Sequence, residues 1–304
     1  MTNWNEAVER ECHILVELAL REDLGGRVDC TTSALVDPRV QGSAAFVARK
    51  NGVVCGVEVA KVVCRKYSDQ LSIQTLVADG QRVKTDETIA VIKGSASAIL
   101  VVERTCLNFL GRLSGIASLT SEFVTRVAGT NAKIFDTRKT TPAFRHLEKY
   151  AVRCGGGQNH RFGLFDAILI KDNHLAFAAA SVTAEQSIEW AVSKAREWIA
   201  DHQQELPMGL QTIVQIEVDD LQQLERALVL PIDIVLLDNM SVADIVQAVK
   251  LRNTIQPSIE LEISGGVNLD SVRDFASTGV ERISVGAITH SAINFDIGLD
   301  WEVQ

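Results

Sequence analysis

From residue 133 to residue 285, short apolar runs alternate with stretches of helical periodicity, and this rhythm constrains the fold more than any other feature of the sequence. The runs are rich in β-branched residues and nearly free of polar positions, as expected for parallel strands that are covered on both faces. They comprise residues 133–136, 167–171, 213–218, 234–238, 259–263 and 282–285. Repeated strand–helix units over about 150 residues predict an α/β fold and favour a (β/α) barrel over an open sheet.

The chain before residue 130 has a different texture. Residues 5–22 predict an amphipathic helix. Its apolar face consists of Val8, Ile14, Leu15, Leu18 and Ala19. Residues 43–93 contain short apolar runs separated by Asn-Gly, Asp-Gly and Lys-Gly pairs, which predict a small β-rich segment with tight turns. Residues 97–128 predict helical structure with a break at Gly111 or Gly115.

Charge is distributed unevenly along the chain. The 304 residues have a net charge of -9, yet the stretch 133–161 has seven Lys or Arg residues against two acids, which leaves -14 for the remainder. Because a nucleic-acid-binding protein needs a broad basic face, this acidic chain is not expected to bind nucleic acid. Cations concentrated on the loops of an acidic protein instead predict a small ligand with several negative charges.

The remaining composition indicates a globular protein of the cytoplasm. No apolar stretch approaches the ~18 residues that span a bilayer, and the N-terminus lacks the basic and apolar regions of a signal peptide. The six cysteines include no C-x-x-C pair and have no regular spacing. We therefore expect reduced, mostly buried thiols without a metal or disulfide role.

In a parallel α/β fold, ligands bind at the carboxyl ends of the strands, so polar residues there are the candidates for function. One group of them is cationic. It comprises Arg138, Lys139, His160, Arg161 and Lys171. Guanidinium and ammonium groups both suit carboxylates and phosphates. A single exposed Arg–Lys pair would ordinarily be solvated surface, but five such side chains around one strand edge predict an anion site.

Glu217 and Asp238 end two predicted strands after apolar runs and form the second group. Two carboxylates among cations can hold ribose hydroxyls, coordinate Mg²⁺ or stabilise a developing positive charge. Two structural roles compete with these functions, namely an ion pair with Lys171 and capping of the next helix by Asp238. Ser241 is the better-placed cap, because Asp244 follows it at capping-box spacing.

Two turns of small residues follow the last two predicted strands and form the third group. The first contains Ser264, Gly265 and Gly266, and the second contains Ser284 and Gly286. Glycine lets a ligand approach the backbone, and N–H groups at a helix start attract phosphate. Each could be an ordinary strand-to-helix turn. At successive strand ends, where (β/α) barrels often hold phosphate, the two together predict a phosphate site.

The motifs that contain these residues resemble quinolinate phosphoribosyltransferases over nearly the whole chain. The matching segments are 28–32 (VDCTT), 103–108 (ERTCLN), 112–117 (RLSGIA), 136–140 (DTRKT), 155–161 (GGGQNHR), 171–174 (KDNH), 237–240 (LDNM), 263–266 (ISGG) and 284–287 (SVGA). Their order and spacing make the resemblance specific. The departures are small: Cys30 stands where the family more often has Leu or Val, Gln215 where it often has Glu, and Gly298 where it often has Ser.

The resemblance implies an enzyme of de novo NAD biosynthesis that uses Mg²⁺. Its substrates would be quinolinate and phosphoribosyl pyrophosphate, and its products nicotinate mononucleotide, pyrophosphate and CO₂. The implied fold is of the type II phosphoribosyltransferase kind, an α/β fold with an open seven-stranded (β/α) barrel over residues 117–286. The barrel is joined to an N-terminal α/β domain, residues 1–116, which the tail 287–304 completes.

The resemblance also implies roles for single residues. The quinolinate pocket would contain Arg138, Lys139, His160, Arg161 and Lys171. Arg104 would enter this pocket from the other subunit of a homodimer or higher oligomer, whereas by itself Arg104 is expected to pair with a nearby acid. The catalytic residues would be Lys139, Lys171, Glu217 and Asp238, the two carboxylates lying near the ribose and its Mg²⁺. The 5′-phosphate site would contain Ser264, Gly265, Gly266, Ser284, Gly286 and His290.

Three other functions compete with this interpretation. A nicotinate-type phosphoribosyltransferase binds a monoanion and would not need so many cations. A Schiff-base aldolase could use Lys171 as its nucleophile, although neighbouring cations and two phosphate turns fit it less well. A non-catalytic binder, such as the molybdenum-transport-associated relatives of the family, is expected to lack some pocket cations, and here all are present.

Overall fold

A computed structural model describes residues 4–178, 183, 186–202, 204 and 212–301. By packing, the chain forms two compact units. The first comprises residues 1–122, 139–157 and 287–304, and the second residues 123–138 and 158–286. The domain boundaries given above remain predictions. In the part of the chain that the structure describes, no helix is long and apolar enough to cross a membrane.

The first unit contains a four-stranded antiparallel sheet of order β12-β1-β5-β3 and a two-stranded ribbon of β2 and β4. The strands are β1 (Gln41–Ala48), β2 (Gly52–Val53), β3 (Ser72–Thr75), β4 (Arg82–Val83), β5 (Thr88–Ser95) and β12 (Ile297–Trp301). Its helices are α1 (Glu6–Leu24), α2 (Cys30–Leu35), α3 (Val57–Tyr67), α5 (Arg145–Cys154) and α11 (Ala287–His290). Helix α4 (Ala96–Arg126) begins in this unit and ends in the second.

Helix α1 confirms the predicted N-terminal helix, and the Asn5 side chain caps it by accepting the Val8 N–H at 3.0 Å. Its predicted apolar face was partly wrong, because Ile14 and Leu18 are 49% and 44% exposed. The buried face is instead made by Val8, Cys12, Leu15, Val16 and Leu20. The first unit thus covers a stripe rotated slightly from the one that hydrophobicity alone suggests.

The predicted β-rich segment over residues 43–93 contains strands β1 to β5, and between them lies helix α3, which was not predicted. Its sequence is rich in valine, which favours strands. Six of its side chains are buried, and the Asp79 carboxylate accepts the Val57 N–H at 2.9 Å at the start of the helix. Burial of one helical face and a cap from a distant residue therefore override local propensity.

Helix α4 is continuous over 31 residues, so the predicted break at Gly111 or Gly115 was wrong. Both glycines instead allow close packing of backbone. A Cβ at Gly115 would lie 2.2 Å from the Ile293 carbonyl oxygen, and one at Gly111 would lie 3.0 Å from the Phe295 carbonyl oxygen. The chain near residues 293–295 can approach α4 only because these positions lack side chains.

The second unit contains a parallel sheet of order β6-β11-β10-β9-β8-β7. The strands are β6 (Lys133–Phe135), β7 (Ile168–Ile170), β8 (Val214–Val218), β9 (Ile234–Asp238), β10 (Glu260–Ser264) and β11 (Arg282–Ser284). Its helices are α6 (Asp172–Ala178), α7 (Ser187–Asp201), α8 (Leu221–Ala227), α9 (Val242–Ile255) and α10 (Val272–Ala276). A parallel bridge from Phe135 to Gln158 adds a seventh short segment beside β6.

The predicted α/β fold class is confirmed, and each strand end lies within one residue of its predicted position. Ser241 caps α9 as expected, since its side chain accepts the Asp244 N–H. All six cysteines are free thiols, and all but Cys30 are buried, as predicted.

Candidate active site

Polar side chains from four neighbouring strands meet at the carboxyl edge of the parallel sheet. Lys171 directly follows β7, Glu217 lies near the end of β8, and Asp238 and Ser264 end β9 and β10. The register pairs Asp238 with Ser264, and Glu217 with Leu236, two residues before Asp238. Because side chains alternate between the faces of a strand, Glu217 and Asp238 lie on the same face of the sheet.

Lys171 and Glu217 form the ion pair that the sequence left open as a structural role. The distance between Lys171 Nζ and Glu217 Oε2 is 2.8 Å. The Lys171 side chain is 45% exposed, whereas that of Glu217 is only 10% exposed. An ammonium group on a mobile side chain can leave this pair for an anionic ligand, so the contact does not rule out a function for either residue.

Arg161 is partly buried, and its guanidinium group is influenced by the charge of Arg138. Burial lowers the pKa of Arg161, and the neighbouring Arg138 charge lowers it further. Arg161 Nη1 donates to the Ala167 carbonyl at 3.2 Å, which fixes part of its guanidinium group. Like charges held close together in a folded protein indicate a site where an anion would offset their repulsion.

Asp136, whose motif was noted but to which no role was assigned, anchors the loop that contains His160 and Arg161. Its side chain is fully buried directly after β6. One carboxylate oxygen accepts Asn159 Nδ2 at 2.7 Å, and the other accepts the His160 N–H at 2.8 Å. The only sequence signal for this anchor is an acid directly after an apolar strand.

His160 has contacts at both ring nitrogens. Nδ1 accepts the Arg161 N–H at 2.7 Å, and Nε2 lies 3.3 Å from an oxygen of Glu262. Glu262 is fully buried in β10 and also accepts the hydroxyl of Ser284 and Arg282 Nε, the latter at 2.7 Å. Sequence reasoning missed Glu262, because it lies inside a strand rather than at its end.

The first small-residue turn packs against the residue that follows Asp238. Gly265 has a φ of 98° and Asn239 a φ of 52°. The Asn239 N–H donates to the Ser264 carbonyl at 3.0 Å, and Asn239 Nδ2 donates to Asp238 Oδ2 at 2.7 Å. A Cβ at Gly265 would lie 2.1 Å from Asn239 Oδ1. The turn therefore requires glycine and ties the Asp238 carboxylate to Ser264.

The two turns differ in how they continue. Gly266 has a φ of 61°, and α10 begins only at Val272, so the first turn does not lead straight into a helix. The second turn does, because α11 begins directly after Gly286. The Ser284 hydroxyl is directed to Glu262, and the Val285 N–H donates to the Phe135 carbonyl at 2.9 Å.

The other predicted site residues belong to the first unit. The Lys139 carbonyl accepts the Thr289 hydroxyl at 2.7 Å. His290 is exposed, with Nδ1 2.7 Å from Ser291 Oγ. Arg104 is exposed on α4, and no carboxylate of the described residues lies within 4.0 Å of its guanidinium group, so the acid expected beside it is not found.

A buried ion pair of the first unit, also missed in the sequence, supports the segments that contain Lys139 and His290. Arg112 Nη2 lies 2.6 Å from Oε1 of the fully buried Glu148. Glu148 also accepts the N–H and hydroxyl of Thr141, while Arg112 donates to the carbonyl groups of Thr289 and Ala292. One pair of side chains thus holds the loop after Lys139 and the segment around His290.

Fold and site together define a class of protein. A parallel α/β sheet that presents cationic side chains, two carboxylates and glycine turns at its carboxyl edge is suited to a polyanionic, phosphorylated substrate. Comparison with known proteins makes this specific. The quinolinate phosphoribosyl transferase N-terminal domain matches residues 29–114, and the C-terminal domain of that family matches residues 116–300. The chain belongs to the quinolinate phosphoribosyltransferase family.

Relatives agree over nearly the full length. The nicotinate-nucleotide pyrophosphorylase [carboxylating] of Mycobacterium leprae is 40% identical over 287 residues, which cover 94% of this chain and 95% of the relative. The solved nicotinate-nucleotide pyrophosphorylase of Francisella tularensis has a TM-score of 0.85 at 36% identity and 96% coverage of both chains. That of Ehrlichia chaffeensis has a TM-score of 0.83 at 38% identity, covering 95% of this chain and 97% of its own. The predicted enzyme class, a phosphoribosyltransferase of NAD biosynthesis, is confirmed.

Proposed function

We propose that this chain converts quinolinate and phosphoribosyl pyrophosphate to nicotinate mononucleotide, pyrophosphate and CO₂ at the carboxyl edge of its parallel sheet. The observation that carries the proposal is that the Arg161 guanidinium group is fixed on the Ala167 carbonyl at 3.2 Å within the influence of the Arg138 charge, so that a bound dianion would meet two cations. Lys171, on the Glu217 side of the same edge, supplies a further cation. A dicarboxylate needs several such groups, whereas one carboxylate does not.

In this proposal the two quinolinate carboxylates are bound by Arg138, Lys139, Arg161 and Lys171, and His160 lines the pocket. Each charge-assisted hydrogen bond contributes roughly 1.5–3 kcal/mol. When substrate binds, the Lys171 ammonium group leaves Glu217 and pairs with a substrate carboxylate. Since Glu217 is largely buried, it then needs another partner, which the hydroxyl groups of the ribose or a metal ion can supply.

The chemistry follows from the same charges. The bond between ribose C1 and pyrophosphate breaks with its electron pair on the leaving oxygen, and the carboxylates of Glu217 and Asp238 stabilise the positive charge that develops at C1. The quinolinate nitrogen forms the new bond to C1 and becomes a pyridinium. Its adjacent carboxylate leaves as CO₂, the electron pair remains on the ring carbon, and a proton replaces the lost group. Lys171 or Arg104 steadies the departing carboxylate.

Glu217 and Asp238 fit Mg²⁺, provided that the substrate supplies most of the ligands. Among the described residues there is no cluster of three His, Cys, Asp or Glu side chains that could hold a metal alone. Mg²⁺ is commonly bound by one or two carboxylates plus substrate phosphates and water, and the two carboxylates here provide that minimum. When bound, the ion neutralises charge on pyrophosphate.

The 5′-phosphate is assigned to the glycine turns. Gly265 and Gly266 adopt positive φ, and no atom lies within 4 Å of the position that a Cβ of Gly266 would take, so the backbone there is open to a ligand; this supports the role for Ser264–Gly266. Ser284 and Gly286, at the end of the next strand, complete the set together with His290. The Ser284 hydroxyl is directed to Glu262, so its contribution to phosphate is through its position in the turn rather than as a free donor.

Arg104 is assigned to the site of a partner subunit in a homodimer or a higher oligomer. Its exposure without an acid among the described residues supports this role, because a buried pocket of another copy would give it an anionic partner. Mixing an Arg104→Ala variant with a Lys171→Ala variant tests it. Random pairing would restore about a quarter of the wild-type sites if the residues act in trans, and none if they act in the same chain.

The activity test offers quinolinate or nicotinate to the protein with phosphoribosyl pyrophosphate and Mg²⁺, and follows CO₂ and nicotinate mononucleotide. One CO₂ per nucleotide with quinolinate alone is expected. Turnover of nicotinate would support the phosphoribosyl transfer but contradict the assignment of quinolinate as the substrate. Glu217→Gln and Asp238→Asn should lower kcat by about 100-fold or more while folding is kept.

We also infer a cytoplasmic location, which the acidic composition and the free thiols support.

A further inference from the structure

We propose that Glu262 is a positioning residue for this reaction, because its buried carboxylate holds His160 of the quinolinate pocket and Ser284 of the phosphate turn in one fixed arrangement. The inference rests on the function proposed above for those two residues. Glu262 itself contacts neither proposed substrate in this assignment, and it acts through the groups that do.

The contacts of the His160 ring show which of its nitrogens carries the proton. Nδ1 accepts a backbone N–H, so it does not carry a proton, and the ring proton lies on Nε2, which faces Glu262. The His160 N–H is held separately by Asp136. The His160 ring is therefore fixed by contacts at both nitrogens, and the positive charge for quinolinate comes from the neighbouring Arg and Lys residues.

The three neighbours of Glu262 require a carboxylate at position 262. Arg282, Ser284 and His160 all direct a hydrogen toward it, and an ionised carboxylate is the side chain that only accepts. Burial opposes the charge, but hydrogen bonds from His160 and Ser284 and the charge of Arg282 hold the pKa of Glu262 low. A glutamine of the same shape would turn its NH₂ group toward at least one of these donors.

Glu262 differs from an ordinary ion pair of the core because it has partners besides Arg282. Arg282 alone would balance its charge, and Arg282 is itself fixed over the Phe135 ring at 3.7 Å from the centroid. The second oxygen of Glu262 instead contacts two residues from different segments, His160 in the loop after Gln158 and Ser284 at the end of β11. Losing the carboxylate should therefore disturb both substrate sites at once.

Glu262→Gln tests the inference, with Glu260→Gln as the matched control. Glu260 is in the same strand, lies 3.3 Å from the same Arg282, and has a side chain that is 49% exposed. We expect Glu262→Gln to raise KM for quinolinate and for phosphoribosyl pyrophosphate by about tenfold or more, and Glu260→Gln to change either by less than about twofold. Circular dichroism of both variants verifies folding.

The ring nitrogen shifts of His160, measured by ¹⁵N NMR, provide a readout that a merely structural role would not change. The wild-type protein at mildly alkaline pH should show the Nε2–H tautomer, and Glu262→Gln should shift the ring toward a mixture of tautomers. A wild-type Nδ1–H tautomer would overturn the inference even if Glu262→Gln fails to fold. A folded Glu262→Gln with unchanged tautomer and unchanged KM values would also overturn it. Because the NMR result does not depend on turnover, it separates this inference from the proposed function.

Discussion

Several side chains at the site are held in arrangements that are unfavourable without a ligand. Burial and the charge of Arg138 both lower the pKa of Arg161. Gln215, on the same strand face as Glu217, is only 2% exposed, and no described residue accepts its Nε2 hydrogens. A buried amide without a partner costs free energy, as do neighbouring like charges. These residues lower the stability of the substrate-free protein at the edge of the sheet where an anion is proposed to bind.

Gln215→Met should therefore stabilise the substrate-free protein. The change removes the unpaired donor and keeps the volume, so the free energy of unfolding should rise by about 1 kcal/mol. Urea denaturation of the two proteins measures it, and KM for phosphoribosyl pyrophosphate shows whether the amide binds substrate. A fall in stability would mean that the Gln215 amide already has a partner, such as an ordered water.

The contribution of Glu262 to the free energy of unfolding should depend on pH in the acid range. Its pKa is held at about 2, against an ordinary value of 4.5, by His160, Arg282 and Ser284 despite burial. A depressed carboxylate pKa stabilises the fold above the unfolded-state value, and this contribution is lost as pH falls from about 4.5 toward 2. The difference in unfolding free energy between wild type and Glu262→Gln should shrink over that range. A difference that stays constant from pH 6 down to about pH 2.5 would contradict it.

At the scale of elements, helix α4 shows how packing decides a boundary that the sequence leaves open. Two glycines in an apolar helix suggest a break, but the helix continues because the chain at residues 293–295 occupies the space that side chains would fill. Arg112 of the same helix donates to carbonyl groups of Thr289 and Ala292, so polar contacts reinforce the close approach. The helix therefore organises the segment that contains His290.

Gly115→Ala should destabilise the protein although alanine favours helices. The new Cβ would meet a backbone carbonyl at 2.2 Å, which cannot move as a flexible side chain would. The cost of this clash, about 1–3 kcal/mol, exceeds the gain in helix propensity of about 1 kcal/mol. Gly111→Ala, with its contact at 3.0 Å, should cost less, and Asn108→Ala on the exposed face should cost nothing measurable. Thermal unfolding of the three variants checks the order.

At the scale of the whole molecule, an acidic chain presents a local excess of positive charge. The stretch 133–161 has seven cations against two acids, while the full chain has a net charge of -9. The surrounding negative charge repels anions in general, so binding of the two anionic substrates depends on short-range contacts at the site. Those contacts are partly exposed, as the 45% exposure of the Lys171 side chain shows, and salt will screen them.

KM for quinolinate should accordingly rise several-fold when ionic strength increases from about 0.05 to about 0.5 M, since the screening length falls below the size of the pocket. The measurement is the initial rate at saturating phosphoribosyl pyrophosphate in potassium chloride, with unfolding temperature followed in the same buffers. A KM that is independent of salt, with the fold intact, would mean that the pocket is closed to ions when quinolinate binds.

The sequence by itself determined the order of the parallel strands along the chain, the strand ends, and the cations, carboxylates and glycines placed there, because alternating apolar runs and turn residues are local signals. Its motifs also gave the family. The tertiary structure decided what depends on contacts between distant segments. Helix α3 within the valine-rich region, the unbroken α4, and the anchors Asp136, Glu148 and Glu262 all have partners at least seven residues away, and most of those partners lie far along the chain. Such a buried carboxylate looks like any other acid until folding brings its donors together and removes water from around it, which makes those hydrogen bonds obligatory.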